Sequence, residues 1–227
     1  MKKMLLISGL FFLAAELAAQ VSLPVYHDSL FSTYYHQRAT LFRLLPQSPD
    51  DIIMMGNSIT DGGEWSDMFN DRRMKDRGIS GDISAGILHR LKDVVKGKPK
   101  KIFLMIGTND LARNITPDSV VRNIFLAADY LRQEIPATEL YVQSILPVND
   151  YHKKFSNHTS KGESIRWVNR QLEQGAGLHH YTYIDLHTPF SDSEGKLDIK
   201  YSNDGLHLMG EGYFLWKEKI MPFILGK

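Results

Sequence analysis

The chain has 227 residues, 43% hydrophobic and 23% charged, which suits one α/β domain with a sizeable core. Its 27 basic and 26 acidic side chains make no electrostatic case for nucleic acid or an anionic membrane surface. It has no cysteine, which excludes disulfides, thiolate metal sites, cysteine nucleophiles and a lipid-modified cysteine anchor.

At the N-terminus, Lys2 and Lys3 precede an apolar run from Met4 to Ala15, and Leu17-Ala18-Ala19 then offers small residues before Gln20. This is the three-part pattern of a secretory signal peptide over 1–19, with cleavage expected after Ala19. The run is too short to span a hydrocarbon core of about 30 Å, so no stable membrane insertion is expected of the processed chain. Loss of Lys2, Lys3 and Glu16 leaves 25 basic and 25 acidic side chains. The reading places the protein in the periplasm or outside the cell, as one domain over 20–227.

A mixed, aromatic-rich segment from about Val25 to Leu45 reads as a helix, ended by Pro46 and Pro49. Ile52-Ile53-Met54-Met55 is a continuous apolar run, the pattern of a strand buried on both faces, and Gly56 ends it. Met74 to Ser80 is a weaker strand. Ser84 is placed to cap a helix with Ile87, Leu88, Leu91 and Val95 on one face. Lys101 to Ile106 is the next strand, ended by Gly107. Thr116 caps a helix with Pro117 at its first position and Val120, Ile124, Ala128 and Leu131 on its buried face. Leu140 to Leu146 is a fourth strand. Ile165 to Gln174 is a helix stopped by Gly175 and Gly177, and Tyr181 to Leu186 a fifth strand. A terminal helix runs from Met209 to Ile220 and stops near Pro222. Strands alternating with helices predict a parallel sheet covered on both faces. In open sheets of that kind the site lies beyond the carboxyl ends of the strands.

Four polar, glycine-bearing segments fall at such places: Gly56-Asn57-Ser58, Gly78-Ile79-Ser80-Gly81-Asp82, Gly107-Thr108-Asn109-Asp110 and Asp204-Gly205-Leu206-His207. Together they supply the parts for acyl transfer. A serine hydroxyl needs a base to take its proton, and His207 can be that base. A carboxylate that holds the imidazole tautomer improves the base, and Asp204 stands three residues before it. An oxyanion needs preorganised donors, available from the side-chain amide of Asn109 and the backbone N–H groups of Gly81 and Ser58. Taken singly, each feature is common as a cap, a turn or a surface hydrogen bond. No Gly-x-Ser-x-Gly elbow is present, which disfavours the α/β-hydrolase reading.

In combination and in order, the four segments resemble the SGNH hydrolase family, also called the GDSL esterase/lipase family. The resemblance implies a three-layer α/β/α sandwich on a flavodoxin-like five-stranded parallel sheet. It implies Ser58 as nucleophile, Asp204 and His207 as its triad partners, and Ser58, Gly81 and Asn109 as the oxyanion hole. No metal or organic cofactor is implied. One departure stands out: the family's Gly-Asp-Ser is Gly-Asn-Ser here, with Asn57 in the aspartate position, so an acceptor oxygen is kept and the charge lost. The run Gly56-Asn57-Ser58-Ile59-Thr60-Asp61-Gly62-Gly63 also resembles the platelet-activating-factor acetylhydrolase-like branch and bacterial carbohydrate O-acetylesterases. That resemblance implies short acyl groups on a small-molecule or glycan ester.

Other residues compete for attention. Ser80 is a rival serine whose expected part is to shape the turn presenting Gly81. His187 follows the fifth strand and is expected at the sandwich edge, while Asp185 ends that strand as a candidate second carboxylate. His179-His180 has no partners at a metal-ligand spacing. Asp110 is expected to orient Asn109 or cap the next helix. Trp65, Tyr151 and Trp167 are possible sugar platforms, with packing the commoner role for such rings. The runner-up functions are a lysophospholipase- or thioesterase-type lipid acyl hydrolase, a non-catalytic carbohydrate-binding relative, and a flavodoxin-like cofactor binder. The last lacks a phosphate-cradling loop after the first strand. Nothing in the residues points to an oligomeric state.

Overall fold

A strand whose residues do not alternate in polarity has to be covered on both faces. In the computed structural model, which describes residues 20–226, the two apolar runs of this kind form β1 (Ile52–Gly56) and β3 (Lys101–Met105). Both are buried at every position, and they pair with each other in the interior of the sheet. The more polar β2 (Met74–Gly78) and the short β5 (Thr182–Ile184) take the two edges, and β4 (Glu139–Gln143) lies between β3 and β5. Every pairing is parallel, in the order β2-β1-β3-β4-β5. This is the expected five-stranded flavodoxin-like sheet. The chain leaves β1 for β2 on one side and returns to β3 on the other, so the loops after β1 and β3 diverge and open a crevice. The signal peptide read over 1–19 lies outside the described residues.

The helices in chain order are α1 (Thr33–Leu44), α2 (Ser58–Asp61), α3 (Trp65–Phe69), α4 (Ser84–Val94), α5 (Thr108–Ala112) and α6 (Pro117–Glu134), followed by α7 (Ser156–Thr159), α8 (Gly162–Gly175), α9 (His187–Phe190) and α10 (Gly210–Leu225). α6 packs against both α4 and α8, while α3 packs on α10. Trp65 of α3 is 1% exposed and meets the Trp216 ring of α10 edge-on at 4.9 Å, so Trp65 is a core residue rather than a sugar platform. Its indole N–H donates to the Thr60 carbonyl, and that of Trp216 to Gln143 in β4.

Several element boundaries differ from the sequence reading; β4 and β5, for example, end at Gln143 and Ile184 rather than at Leu146 and Leu186. The helix expected from about Val25 begins only at Thr33, because the Ser32 hydroxyl caps it by accepting the Tyr35 N–H. Ser84 is the first residue of α4 rather than its cap. The final helix runs through Pro222 to Leu225. A proline in a helix interior costs about 3 kcal/mol, but Pro222 lies in the last turns, and Lys101 holds the turn beyond it. The buried Lys101 ammonium donates to the Phe223 carbonyl at 2.6 Å and to Glu139 at 3.1 Å.

One buried cation ties the carboxyl ends of the strands together. Arg90 lies on the apolar side of α4 and is 5% exposed. Its Nη1 donates to the Arg77 carbonyl in β2 at 2.7 Å, and its Nη2 to the Gly56 carbonyl at the end of β1 at 3.1 Å. Nε and Nη2 also reach the buried carboxylate of Asp82, at 3.2 and 3.0 Å. Removing one partner of such a pair leaves a buried charge without compensation. Arg90→Ala should therefore destabilise the fold by about 3–5 kcal/mol, read as a lower denaturation midpoint in guanidinium; an unchanged midpoint would contradict this role.

Asp76 of β2 makes a second, pH-dependent contribution. Burial pushes its carboxyl up to about 7, with the Asp61 charge adding to the effect, against the opposing bond from the Gly78 N–H and the charges of Arg38 and Arg77. A folded-state value above the unfolded one means that the protonated group favours folding, so stability falls as pH rises through about 7. Thermal melts should show the wild type losing stability between about pH 4 and about pH 7, and Asp76→Asn flattening that slope. Parallel profiles for the two proteins would rule the assignment out.

Candidate active site

Ser58 is the first residue of α2, directly after β1. Asn57 caps that short helix, its Oδ1 accepting the Ile59 N–H at 3.0 Å. This bond needs only an acceptor oxygen, so an amide at position 57 serves locally where the family carries a carboxylate.

The Ser58 Oγ lies 3.1 Å from His207 Nε2, and His207 Nδ1 lies 2.8 Å from Asp204 Oδ2. A nitrogen bonded to a carboxylate carries the proton, which leaves Nε2 as the acceptor for the serine hydroxyl. The other oxygen of Asp204 closes the turn: Oδ1 accepts the backbone N–H groups of Leu206 and His207, each at 2.8 Å, and the Ser202 hydroxyl at 3.3 Å. Burial alone would raise the Asp204 carboxyl, but the His207 N–H, its imidazole and the Leu206 N–H outweigh burial and hold it below its ordinary value. Gly205 has φ +85°, and a Cβ there would collide with the Asn149 carbonyl. The Asn149 N–H donates to the Gly205 carbonyl at 2.9 Å, which docks this turn on the loop after β4.

The proposed donors arrive from β2 and β3. Gly81 sits in the left-handed region at φ +80°, its carbonyl held by Arg113 Nη2 at 2.8 Å. Among the described residues, neither the Gly81 N–H nor the Ser58 N–H has a protein acceptor. The Ser80 hydroxyl and N–H both go to Asp61 Oδ2, at 2.7 and 3.2 Å, so Ser80 shapes the turn. Asn109, in α5 after β3, donates one Nδ2–H to the Asp82 carbonyl at 2.8 Å, and Nδ2 keeps a second hydrogen. Asp110 reaches across to α4, where its carboxylate accepts the Ser84 N–H at 3.0 Å and the Ser84 hydroxyl at 2.6 Å. It therefore caps the preceding helix, not the next one. Burial raises Asp110 to about 6 despite those bonds.

The remaining candidates are elsewhere. His187 and Asp185 line a separate crevice with Arg166, Asn169 and Tyr183. His179 stacks on Phe125 with ring centroids 3.9 Å apart and bonds Asp129 at 2.8 Å. Among the described residues, no group of three or more His, Cys, Asp or Glu side chains could hold a metal ion. Trp167 packs partly buried against the core. Tyr151 is exposed, on the loop after β4. That loop also carries two residues the sequence reading passed over. The Phe155 ring stands edge-on to the His207 ring at 5.1 Å, and His158 bonds Asn109. The strand-end rule applied to β4 would have pointed to this segment.

Residues 54–215 match the model of the GDSL-like Lipase/Acylhydrolase family. The N-acylneuraminate cytidylyltransferase of Escherichia coli O18:K1:H7 is 23% identical over 192 residues, 83% of this chain, and the chain spans 44% of that relative's length. The platelet-activating factor acetylhydrolase IB subunit alpha2 of Rattus norvegicus is 25% identical over 170 residues, 72% of this chain and 71% of that protein. A GDSL-like lipase from Bacteroides thetaiotaomicron superposes with a TM-score of 0.72 at 27% identity, covering 85% of this chain and 97% of that one. With 54–215 matched and the sheet shared with such a relative, the chain belongs to the GDSL-like lipase/acylhydrolase family, the SGNH hydrolases, and is an acylhydrolase of that kind.

Proposed function

We propose that the protein is a secreted serine esterase that removes O-acetyl groups from a carbohydrate through an acyl-enzyme on Ser58. The observation that carries this reading is the continuous relay from Ser58 Oγ to His207 to Asp204, at 3.1 and 2.8 Å, beside N–H donors without protein acceptors. A non-catalytic relative would have no use for a serine, a histidine and a carboxylate held in hydrogen-bonding line.

The chemistry follows from the geometry. Ser58 Oγ attacks the ester carbonyl while its proton passes to His207 Nε2. Asp204, kept ionised by its three N–H bonds, steadies the imidazolium. The N–H groups of Ser58 and Gly81 and the free Nδ2–H of Asn109 receive the developing oxyanion. Collapse of the tetrahedral intermediate breaks the bond to the alcohol, which leaves with the proton from His207. The same imidazole then takes a proton from water, whose oxygen attacks the acyl carbon. The second collapse returns Ser58 and releases the acid.

The acyl group and alcohol rest on other support. The Gly56–Gly63 run resembles carbohydrate O-acetylesterases, one relative is named for hydrolysis of an acetyl ester, and another for a sugar acid. Around the crevice, Arg113 offers donors beside Gly81, and Phe155, half-exposed next to His207, offers a ring face of the kind that packs on sugars. Secretion rests on the signal-peptide pattern over 1–19.

Hydrolysis of p-nitrophenyl acetate should vanish in Ser58→Ala and His207→Ala with folding intact, and full activity in Ser58→Ala would sink the assignment. Asn109→Ala should lower kcat by about 10²–10³ if its amide holds the oxyanion, whereas a change confined to KM would make it a binding residue. On aryl esters of increasing chain length, followed by acetylated sugars, acetyl should be preferred. Preference for long chains would instead place the enzyme with lysophospholipases or thioesterases.

A further inference from the structure

An oxyanion donor works only if its hydrogen is already aimed when charge develops. A primary amide is poorly suited to this by itself, because rotating it by half a turn exchanges oxygen for nitrogen at almost no cost in shape. Two neighbours resolve the orientation of Asn109. The Asp82 carbonyl, 2.8 Å away, can only accept, so it faces Nδ2. At the other end, His158 Nε2 lies 3.0 Å from Oδ1. Since Oδ1 can only accept, that nitrogen carries a hydrogen and donates it.

The position of His158 is built into the loop after β4. Phe155 takes a left-handed conformation, φ 50° and ψ 44°, and its carbonyl receives the N–H groups of His158 and Thr159, at 2.7 and 2.9 Å. The Phe155 ring stands edge-on to both imidazoles, 5.8 Å from His158 and 5.1 Å from His207. One loop thus touches the base and the oxyanion amide together. Burial, and the neighbouring His207 and Arg113, push the His158 imidazole below its ordinary value, which keeps it neutral around pH 7.

We propose that His158 is a positioning residue for the oxyanion hole. It donates Nε2–H to Asn109 Oδ1 and, with the Asp82 carbonyl, locks the amide so that its second Nδ2–H faces the reacting carbonyl. His158 contacts neither the ester nor Ser58; it acts through Asn109. This rests on the reading of Ser58 as the nucleophile.

The test is a double-mutant cycle on p-nitrophenyl acetate. His158→Ala should lower kcat about tenfold or more, short of the about 10²–10³ expected for loss of the donor itself, with KM little changed. His158→Gln, which keeps an N–H at similar reach, should retain most of kcat. In an Asn109→Ala background, removing His158 should change kcat by less than about twofold, because the interaction it serves is already gone. His158→Phe, which preserves the ring volume without an N–H, should repeat the alanine result and covers the case in which the alanine variant folds poorly. Unchanged kcat in the folded alanine or phenylalanine variant, equal losses in Gln and Ala, or a full additive loss in the Asn109→Ala background would each overturn the inference. Hydrolysis that survives Ser58→Ala would overturn the esterase reading and this inference with it, whereas loss in Ser58→Ala beside normal His158 variants overturns this inference alone.

Discussion

The buried guanidinium of Arg90 is the constraint on which the rest of the crevice depends. It takes the carbonyls of Gly56 and Arg77 and the carboxylate of Asp82, groups from the ends of β1 and β2 and the loop that follows. Those are the segments that carry Ser58 and Gly81. A fully buried carboxylate and two strand-end carbonyls would each be costly to leave unmatched, and one planar five-donor side chain satisfies all three. The Asp82 backbone extends the network, since its carbonyl holds the Asn109 amide.

Around that anchor, the loops are fastened to one another by polar contacts. Asp61, on the helix that begins with Ser58, holds the Ser80 turn. Asp110, beside Asn109, holds the first turn of α4. Asn149 docks the Asp204–His207 turn, and the same loop delivers Phe155 and His158. Groups that need angstrom-level placement are thereby set by short polar contacts between loops, while the apolar sheet supplies a rigid base. The cost shows in the raised carboxyls of Asp76, Asp82 and Asp110, each buried further than its partners compensate.

Much of this was legible in the residues. The lack of alternation in Ile52–Met55 and Lys101–Met105 required burial on both faces, and Thr116-Pro117 marked a helix start that is found where expected. Local signals misled where a distant partner intervened. Ser84 reads as a cap until Asp110 arrives from α5, beyond β3, to hold its N–H and hydroxyl. Pro222 reads as a stop until Lys101 ties down the turn beyond it. Arg90 reads as one charge on an amphipathic helix, and His158 as one polar residue in a long loop. Nothing within their own segments shows that each faces a buried acceptor.

The sequence by itself determined the layering, the strand set and the order of the segments bearing Ser58, Gly81, Asn109, Asp204 and His207. Hydrophobic periodicity and short motifs are local, and those features follow from local patterns. Only the tertiary structure decided that Ser58 and His207, 149 positions apart, stand 3.1 Å from each other, and that His158 closes the far end of Asn109. Contacts of that kind depend on where crossovers and loops return in space, and side-chain partners at long separation leave no periodic trace in a single chain.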